Sequence, residues 1–441
     1  MIEAAEPAAS RASGHAQMRW GVLVLAAIAV SSSYYEDDVI GPIADLLQRQ
    51  RGFSQSQLGM LNGVISLPNV ALALVSGVLI DRFGPARVAL WAAAVGVLGA
   101  ALTAVGEPYP LMVAGRFIFG MSEGAIFIAL IAGLAQWFSR RGIALATALY
   151  LSLARVGSYA VDTSTAWARP LYERGWQPPL WLGTAITCAG LAAAAGFYWL
   201  DRHHRPGASS GGGTGERVKL KELLKFDMSY WYILGLHVLY AAVFFPFRTT
   251  YAIEYFQHVK GLSLAQAGVA NSWVFFAAIF ATPVFGLLAD RQGHRALMLT
   301  FGTLLLPVTF VVLGLTDLNL WVSTVMMGIS FSLVPAVIWP ATTLIVEPRR
   351  LGTALGLITL VQALALAASN LAAGWLADRA GAGAHNPGGY AVMLWFFFIL
   401  SLVALASAAL LWRREAGPRG HGLEEARGVR APAGGHGMIV P

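Results

Sequence analysis

The chain has 441 residues, of which 57% are hydrophobic and 12% charged, with a formal net charge of +7. That is too apolar for a soluble domain of this length and describes a polytopic membrane protein. Its Lys and Arg residues sit in short stretches between apolar runs, so they read as topology signals and not as a nucleic-acid surface, and the single cysteine, Cys188, excludes an intrachain disulfide.

A helix needs roughly 20 apolar residues to cross a ~30 Å hydrocarbon core, and helices satisfy their backbone there one segment at a time. Residues 1–19 carry no apolar leader core, so the first span is expected to direct insertion. The expected spans are 20–45, 55–80, 86–106, 109–138, 142–170 and 179–200, then 229–257, 263–290, 295–315, 318–346, 351–378 and 388–412. The segment 201–228 between them holds Ser209, Ser210, Gly211, Gly212 and Gly213, followed by Arg217, Lys219, Lys221 and Lys225. It reads as a flexible linker running into a basic amphipathic stretch. It divides an N-terminal half, 20–200, from a C-terminal half, 229–412, and leaves 413–441 as a Gly-, Arg- and Glu-rich tail expected to lack structure. With both termini on one side, the loops of that side hold 21 Lys and Arg against six on the other, which places both termini in the cytoplasm of a plasma (bacterial inner) membrane.

Gly77-Val78-Leu79-Ile80-Asp81-Arg82-Phe83-Gly84-Pro85-Ala86-Arg87 closes the second span, and Gly286-Leu287-Leu288-Ala289-Asp290-Arg291-Gln292-Gly293-His294-Arg295 closes the eighth, 209 residues later. Gly142-Ile143-Ala144-Leu145 and Gly352-Thr353-Ala354-Leu355 repeat at an offset of 210. Half the chain is therefore duplicated. The acidic-basic-glycine turn resembles the signature loop of the major facilitator superfamily. That resemblance implies an all-α membrane fold of twelve transmembrane helices in two six-helix halves, with substrate near the midplane between them. It also implies a gating role at the inner side for Asp81, Arg82, Arg87, Asp290, Arg291 and Arg295.

A charged side chain at a helix centre costs about 2.5–3.5 kcal/mol on insertion scales, so intramembrane charges mark cavities or partners. The chain places Glu36, Asp37 and Asp38 in the first span, Arg116 and Glu123 in the fourth, Arg155 in the fifth, and Arg248 and Glu254 in the seventh. Gly115-Arg116-Phe117-Ile118-Phe119-Gly120 with Gly124 resembles the superfamily's fourth-helix motif. Arg116 is thus either an internal brace neutralised by Asp37 or Asp38, or part of a proton relay with Glu36 and the other first-helix acids. Ser152, Arg155, Tyr159 and Asp162 fall at i, i+3, i+7 and i+10, one polar stripe on an apolar helix. Arg155 there either grips a substrate carboxylate with two parallel hydrogen bonds or pairs with Glu123 or Asp162. Tyr34, Tyr35, Trp231, Tyr240, Phe244, Trp273 and Trp339 either line a cavity or pack. Trp339 stands out beside the helix-kinking Pro340, and His237 lies mid-span.

Ser66-Leu67-Pro68-Asn69-Val70, Leu151-Ser152-Leu153-Ala154-Arg155-Val156-Gly157-Ser158, Phe245-Pro246-Phe247, Pro283-Val284-Phe285-Gly286 and Trp339-Pro340 resemble the branch of the superfamily that contains lysosomal dipeptide transporters. In that branch a fifth-helix arginine holds the peptide carboxylate and a fourth-helix glutamate the amino end. The resemblance implies that Arg155 anchors a carboxylate while Glu123, or the Glu36-Asp37-Asp38 cluster, meets an amino group. Glu123 precedes by one the position, Gly124, on which the branch's glutamate falls. Arg248, a second arginine from the other half, favours instead an organic anion gripped by Arg155 and Arg248 together. The expected partners are a small-molecule substrate, with or without protons, and the lipid bilayer, and the sequence is silent on an accessory subunit. No nucleic acid, cofactor, metal or enzymatic activity is expected, since neither a His-Glu-x-x-His site nor a P-loop occurs. A sensor that keeps this fold without transporting is a remote alternative.

Overall fold

Apolar stretches in lipid leave the backbone no partner but itself, and the computed structural model is correspondingly helical. It describes residues 6–138, 142–204, 226–316, 318–347, 350–418 and 420–425, with backbone only for 6–17, 70, 71, 73, 74, 144 and 290. Arg140, Arg141, Arg349, the linker residues 209–225 and the tail beyond 425 lie outside the described residues.

The N-terminal half runs α1 (Glu6–Asp37), α2 (Ile40–Arg51), α3 (Gln55–Phe83), α4 (Pro85–Val105), α5 (Tyr109–Trp137), α6 (Ile143–Trp167), the short α7 (Arg169–Glu173) and α8 (Gln177–His204). The C-terminal half runs α9 (Met228–Phe245), α10 (Ala252–His258), α11 (Leu264–Gln292), α12 (Arg295–Leu315), α13 (Leu320–Ile345), α14 (Leu351–Arg379) and α15 (Tyr390–Glu415). With α1–α2 and α9–α10 each counted as one interrupted span, these are twelve helical spans. Nine helices of the described residues are long and apolar enough to cross a membrane by length and composition.

The duplication extends into backbone detail. Ser54 and Ser263, 209 apart, both close capping boxes, with Gln57 and Gln266 reaching back to the cap amide. The turns after α3 and α11 pass through Gly84 (φ 84°) and Gly293 (φ 71°), a region that only glycine enters without strain. The opening span of each half is interrupted at an equivalent place. The first, expected to be continuous over 20–45, breaks at Asp38–Val39, and its second segment reaches Arg51, so that Arg49 and Arg51 sit on a helix and not in a loop. In the seventh, Pro246 lacks an amide hydrogen, and 246–251 form a π-turn between α9 and α10.

The halves meet chiefly through α3 against α14 and α6 against α11. A Cβ on Gly59 would fall 2.3 Å from the Asn370 carbonyl oxygen, on Gly374 2.4 Å from that of Gln55, and on Gly268 2.4 Å from that of Asp162. Backbones touch there because these positions are glycine. At Gly77, Gly286, Gly352 and Gly356, toward the repeated Asp-Arg turns, the same atom would meet nothing within 4 Å. The halves are zipped at the end remote from those turns and parted at the turn end.

The tail departs from expectation in its first part. The twelfth span continues to Glu415, and 416–418 and 420–425 lie back against the C-terminal half: Leu423 is buried, the Ser229 hydroxyl donates to Glu415 at 2.6 Å, and the Leu297 amide donates to Glu424 at 3.1 Å.

Candidate substrate-binding cavity

The site begins with how α1 ends. Helix C-termini carry unsatisfied carbonyls and a partial negative charge, and Arg116, fully buried on α5, meets that need here. Its guanidinium donates to the Glu36 carbonyl at 2.6 Å, the Asp37 carbonyl at 2.5 Å, the Leu61 carbonyl at 3.2 Å and the Asn62 side-chain oxygen at 2.9 Å. Arg116 therefore braces the first helix through backbone oxygens rather than through the Asp37 or Asp38 carboxylates. The Glu36 carboxylate stands 3.9 Å from it, buried and with no hydrogen-bond partner of its own.

Ending α1 there turns Tyr34 and Asp37 into a cavity of about 440 Å³ between the halves. The N-terminal half contributes Asp37, Asn62, Ser66, Asn69, Glu123 and Arg155 to its wall. The C-terminal half contributes His237, Phe331, Trp339, Thr359, Gln362 and Asn370. Glu123 is on the wall although it stands one residue before the expected position. Its neighbour Gly124 makes room for Asn69, whose side-chain oxygen would lie 2.4 Å from a Cβ there, and Asn69 hydrogen-bonds Glu123. The Arg155 guanidinium lies over the rings of Tyr34 at 4.6 Å, Phe331 at 4.8 Å and Phe275 at 5.2 Å, and it has no ion-pair partner among the described residues. Aromatic faces hold a guanidinium by its plane and leave its N–H edge for a ligand. Opposite, the His237 Nε2 is 2.9 Å from the Gln362 oxygen, and its ring meets Trp339 edge-on at 5.1 Å.

Other expected site residues are placed elsewhere. Tyr35 is on the far side of α1, buried among Val39, Ile43 and Leu180, so Tyr34 is the tyrosine on the wall. The stripe on α6 divides: Arg155 enters the cavity, Tyr159 packs on Phe276 at 5.7 Å, Asp162 turns to the zipped end, and Ser152 is half-buried off the wall. Arg248 is not in the cavity either. It is buried in the π-turn, paired with Asp38 at 2.5 Å and with Asp162, so a cavity clamp of Arg155 and Arg248 together is not formed. Asp162 is thereby spoken for and is not Arg155's partner. Asp38 and Arg248 stand 210 apart, at the two helix breaks that the duplication equates.

Beyond that pair the zipped end carries two further layers. Asp378, at the end of α14, accepts from the free amides of Gln55 at 2.7 Å and Ser56 at 2.9 Å, an anion from one half capping the N-terminus of a helix in the other. Glu254 accepts from Gln55 at 2.6 Å and from the Tyr390 hydroxyl, and His258 joins Tyr390 to Asp45, each at 2.9 Å. At the parted end, Asp81 is half-buried, Arg82 lies over Phe83 at 5.2 Å, Arg87 and Arg291 are exposed, and the Asp290 side chain lies outside the described residues. Arg295 is buried, and its amide donates to the tail's Leu423 carbonyl at 2.9 Å. Sequence reasoning passed over Asn62, Gln362, Asn370 and Gln55 because it sought formal charge. An uncharged amide in an apolar span also needs a partner, and that signal would have found them.

The comparisons with known proteins agree with this fold. The family model described as Major Facilitator Superfamily matches residues 26–270 and 233–437. The bovine lysosomal dipeptide transporter MFSD1 is 28% identical over 92% of this chain and 89% of its own, and the human one is 28% identical over 89% and 85%. A probable sulfoacetate transporter, SauU, of Cupriavidus necator is 22% identical over 79% of this chain and 85% of its own. Among solved structures, the nucleoside transporter NupG superposes with a TM-score of 0.72 over 88% of this chain and 99% of its own, at 11% identity. A bacterial homologue of the human lysosomal transporter Spinster, inward-facing and occupied, gives 0.68 over 89% and 96%, at 15% identity. With a duplicated six-helix scaffold, a cavity between its halves and a family match over nearly the whole length, the chain belongs to the major facilitator superfamily and is a membrane transporter, not an enzyme.

Proposed function

We propose that this transporter moves dipeptides or similar small zwitterions by alternating access, with the repeated Asp-Arg turns on the cytoplasmic side and the cavity therefore open inward. The observation that carries the reading is one wall bearing both signs of charge: Arg155, held by aromatic faces with its edge free, together with Glu123 and Asp37. A zwitterion matches that wall, its carboxylate on Arg155 through parallel charge-assisted hydrogen bonds and its amino group on Glu123 or Asp37. The similarity to lysosomal dipeptide transporters over most of the chain supports it. The organic-anion alternative loses its second arginine, because Arg248 is engaged by two carboxylates.

The test is a thermal-shift screen of the detergent-solubilised protein against dipeptides, amino acids and mono- and dicarboxylates, followed by counterflow in proteoliposomes. A ligand of the native state raises the melting temperature. Dipeptides should do so, and Arg155→Ala should weaken binding on the order of 100-fold, as expected when one partner of a buried charge-assisted contact is removed. Stabilisation by dicarboxylates alone would overturn the assignment.

A further inference from the structure

At the zipped end the hydrogens can be counted. His258, on α10, is held at both ring nitrogens: Nε2 lies 2.9 Å from the Asp45 carboxylate on α2, in the other half, and Nδ1 lies 2.9 Å from the Tyr390 hydroxyl on α15. Its side chain is 4% exposed, so water does not stand in for a missing hydrogen. An ionised carboxylate only accepts, so Nε2 facing Asp45 carries a hydrogen. The single hydrogen of Tyr390 goes to Glu254, and the Gln55 amide of the other half donates to both, to Glu254 at 2.6 Å and to Tyr390 at 3.1 Å. What Tyr390 shows to Nδ1 is then a lone pair, and Nδ1 carries a hydrogen too. That is an imidazolium. The alternatives move this hydrogen along the chain without changing the total: a protonated Glu254 donates to Tyr390 and Tyr390 to Nδ1, or a protonated Asp45 donates to Nε2. A neutral histidine between two ionised carboxylates leaves one contact with facing lone pairs and nothing between them.

The surrounding charges do not replace that proton. Glu254 is fully buried, its second oxygen has no partner, and a bare carboxylate there would be costly. Arg49 is spent on Asp45 at 2.8 Å, Lys260 is turned to the Thr316 carbonyl at 3.4 Å, and Arg248 is held by Asp38 and Asp162. From α14, Asp378 faces the Gln55 and Ser56 amides, and from the segment after it His385 joins His258 on the vestibule wall.

We propose that the zipped end is a proton-binding site, in which one acid proton shared by His258, Glu254 and Asp45 ties the two halves together and leaves when they part. Asp45 and Gln55 belong to the N-terminal half, and His258, Tyr390 and Glu254 to the C-terminal half. Parting removes the contacts that need the proton and admits water. Because the closed end binds the proton more strongly than the parted one, acid favours closure and alkali favours opening. The proton site does not depend on which cargo is carried.

The experiment measures spin-label distances across the zipped end, between Gln48→Cys and Ala384→Cys in a Cys188→Ser background, at pH 5.5 and 8.5. The ratio of long to short distances should rise at least about tenfold with pH, within the limit of tenfold per pH unit set by one proton. Glu254→Gln supplies from its amide the hydrogen that the proton would bring, so it should stay closed at both pH values. His258→Ala removes the tie and should be open at both. A merely structural role would open the end in both variants. His385→Ala should keep the wild-type response. An unchanged wild-type ratio, or opening on acidification, overturns the proposal even if no variant folds. So does a Glu254→Gln variant that opens as His258→Ala does, or a response that His385→Ala abolishes.

Discussion

The two halves are built from one plan and filled with different chemistry. Both open on an interrupted span, start their second helix on a Ser-x-x-Gln capping box and leave it through a left-handed glycine. Inside, the N-terminal half places Asp37, Glu123 and Arg155 on the cavity wall, whereas the C-terminal half supplies uncharged polar, aromatic and aliphatic groups with His237. Even the shared interruption is held differently. In the first half the loose carbonyls of α1 are tied by Arg116; in the second, Pro246 and a π-turn absorb the break, and the stretch equivalent to Arg116 reads Thr324, Val325 and Met326. Duplication preserved what the backbone requires and left the interior free to diverge, so one half carries formal charge on the cavity wall and the other does not.

Breaking that asymmetry should give the largest effect at Arg116. Arg116→Leu takes the guanidinium donor from the Glu36, Asp37 and Leu61 carbonyls and the Asn62 side-chain oxygen, and the nearby cation from the Glu36 carboxylate, a loss of about 3–5 kcal/mol on the scale of breaking a buried charged contact. Val325→Leu in the other half should change stability by less than about 1.5 kcal/mol. Denaturation of the two variants in matched detergent decides it, and comparable losses would mean that the brace is not what distinguishes the halves.

Next in size is the zipped end, where the halves hold one another. Arg248→Ala leaves Asp38 and Asp162 buried together without a cation, so the closed arrangement is penalised by a few kcal/mol and the opposite opening should become the majority state. Spin labels at Gln48→Cys and Ala384→Cys, one in each half beside the same vestibule at the zipped end, report this directly in a Cys188→Ser background. The distance distribution should move to longer values in Arg248→Ala. Asp378→Asn weakens a charge-assisted cap on α3 without abolishing it, a change of about 1 kcal/mol that should give only a minor long-distance population. An unchanged distribution in Arg248→Ala would show that the ion pair does not hold this end shut.

Much of this architecture could be read from the sequence because lipid makes helices obligatory and because repeats at 209–210 residues survive in glycines, caps and turns, which few residue types can replace. The interior placement of Arg155, Glu123 and Arg116 was visible in their bare cost within apolar spans. What could not be read was who meets whom. Ser152, Arg155, Tyr159 and Asp162 form one stripe on an isolated helix, yet α1, α11 and α13 intervene at different heights and send Asp162 to Arg248 and Tyr159 to Phe276. Tyr34 and Tyr35 are neighbours in sequence and lie about 100° apart around the helix, and only the packing of α1 decides which one sees the cavity. Arg248 looked like a second anion grip because its partners lie 210 and 86 residues away.

The smallest effect belongs to the docked tail of the C-terminal half. Leu423 and Glu424 hold the turn after α11 by accepting from the Arg295 amide at 2.9 Å and the Leu297 amide at 3.1 Å, while Arg414 joins Asp227 at 2.7 Å and so fastens the start of α9. Partial burial acts to raise the Asp227 carboxyl, but the Ser229 amide and the Arg414 guanidinium outweigh it and hold it below the usual carboxylate range. A carboxyl so depressed lends stability above its unfolded value of about 3.9 and loses it as pH falls through the lower folded value. Truncation after Gly417 should accelerate amide exchange at residues 294–297 severalfold while leaving the equivalent turn at 85–88 unchanged, and acidifying the full-length protein from pH 5 to 3 should loosen the Arg414 tie to the start of α9 in the same direction. If exchange rises equally at both turns, the tail steadies the whole turn end, and the two halves are more alike there than their contacts imply.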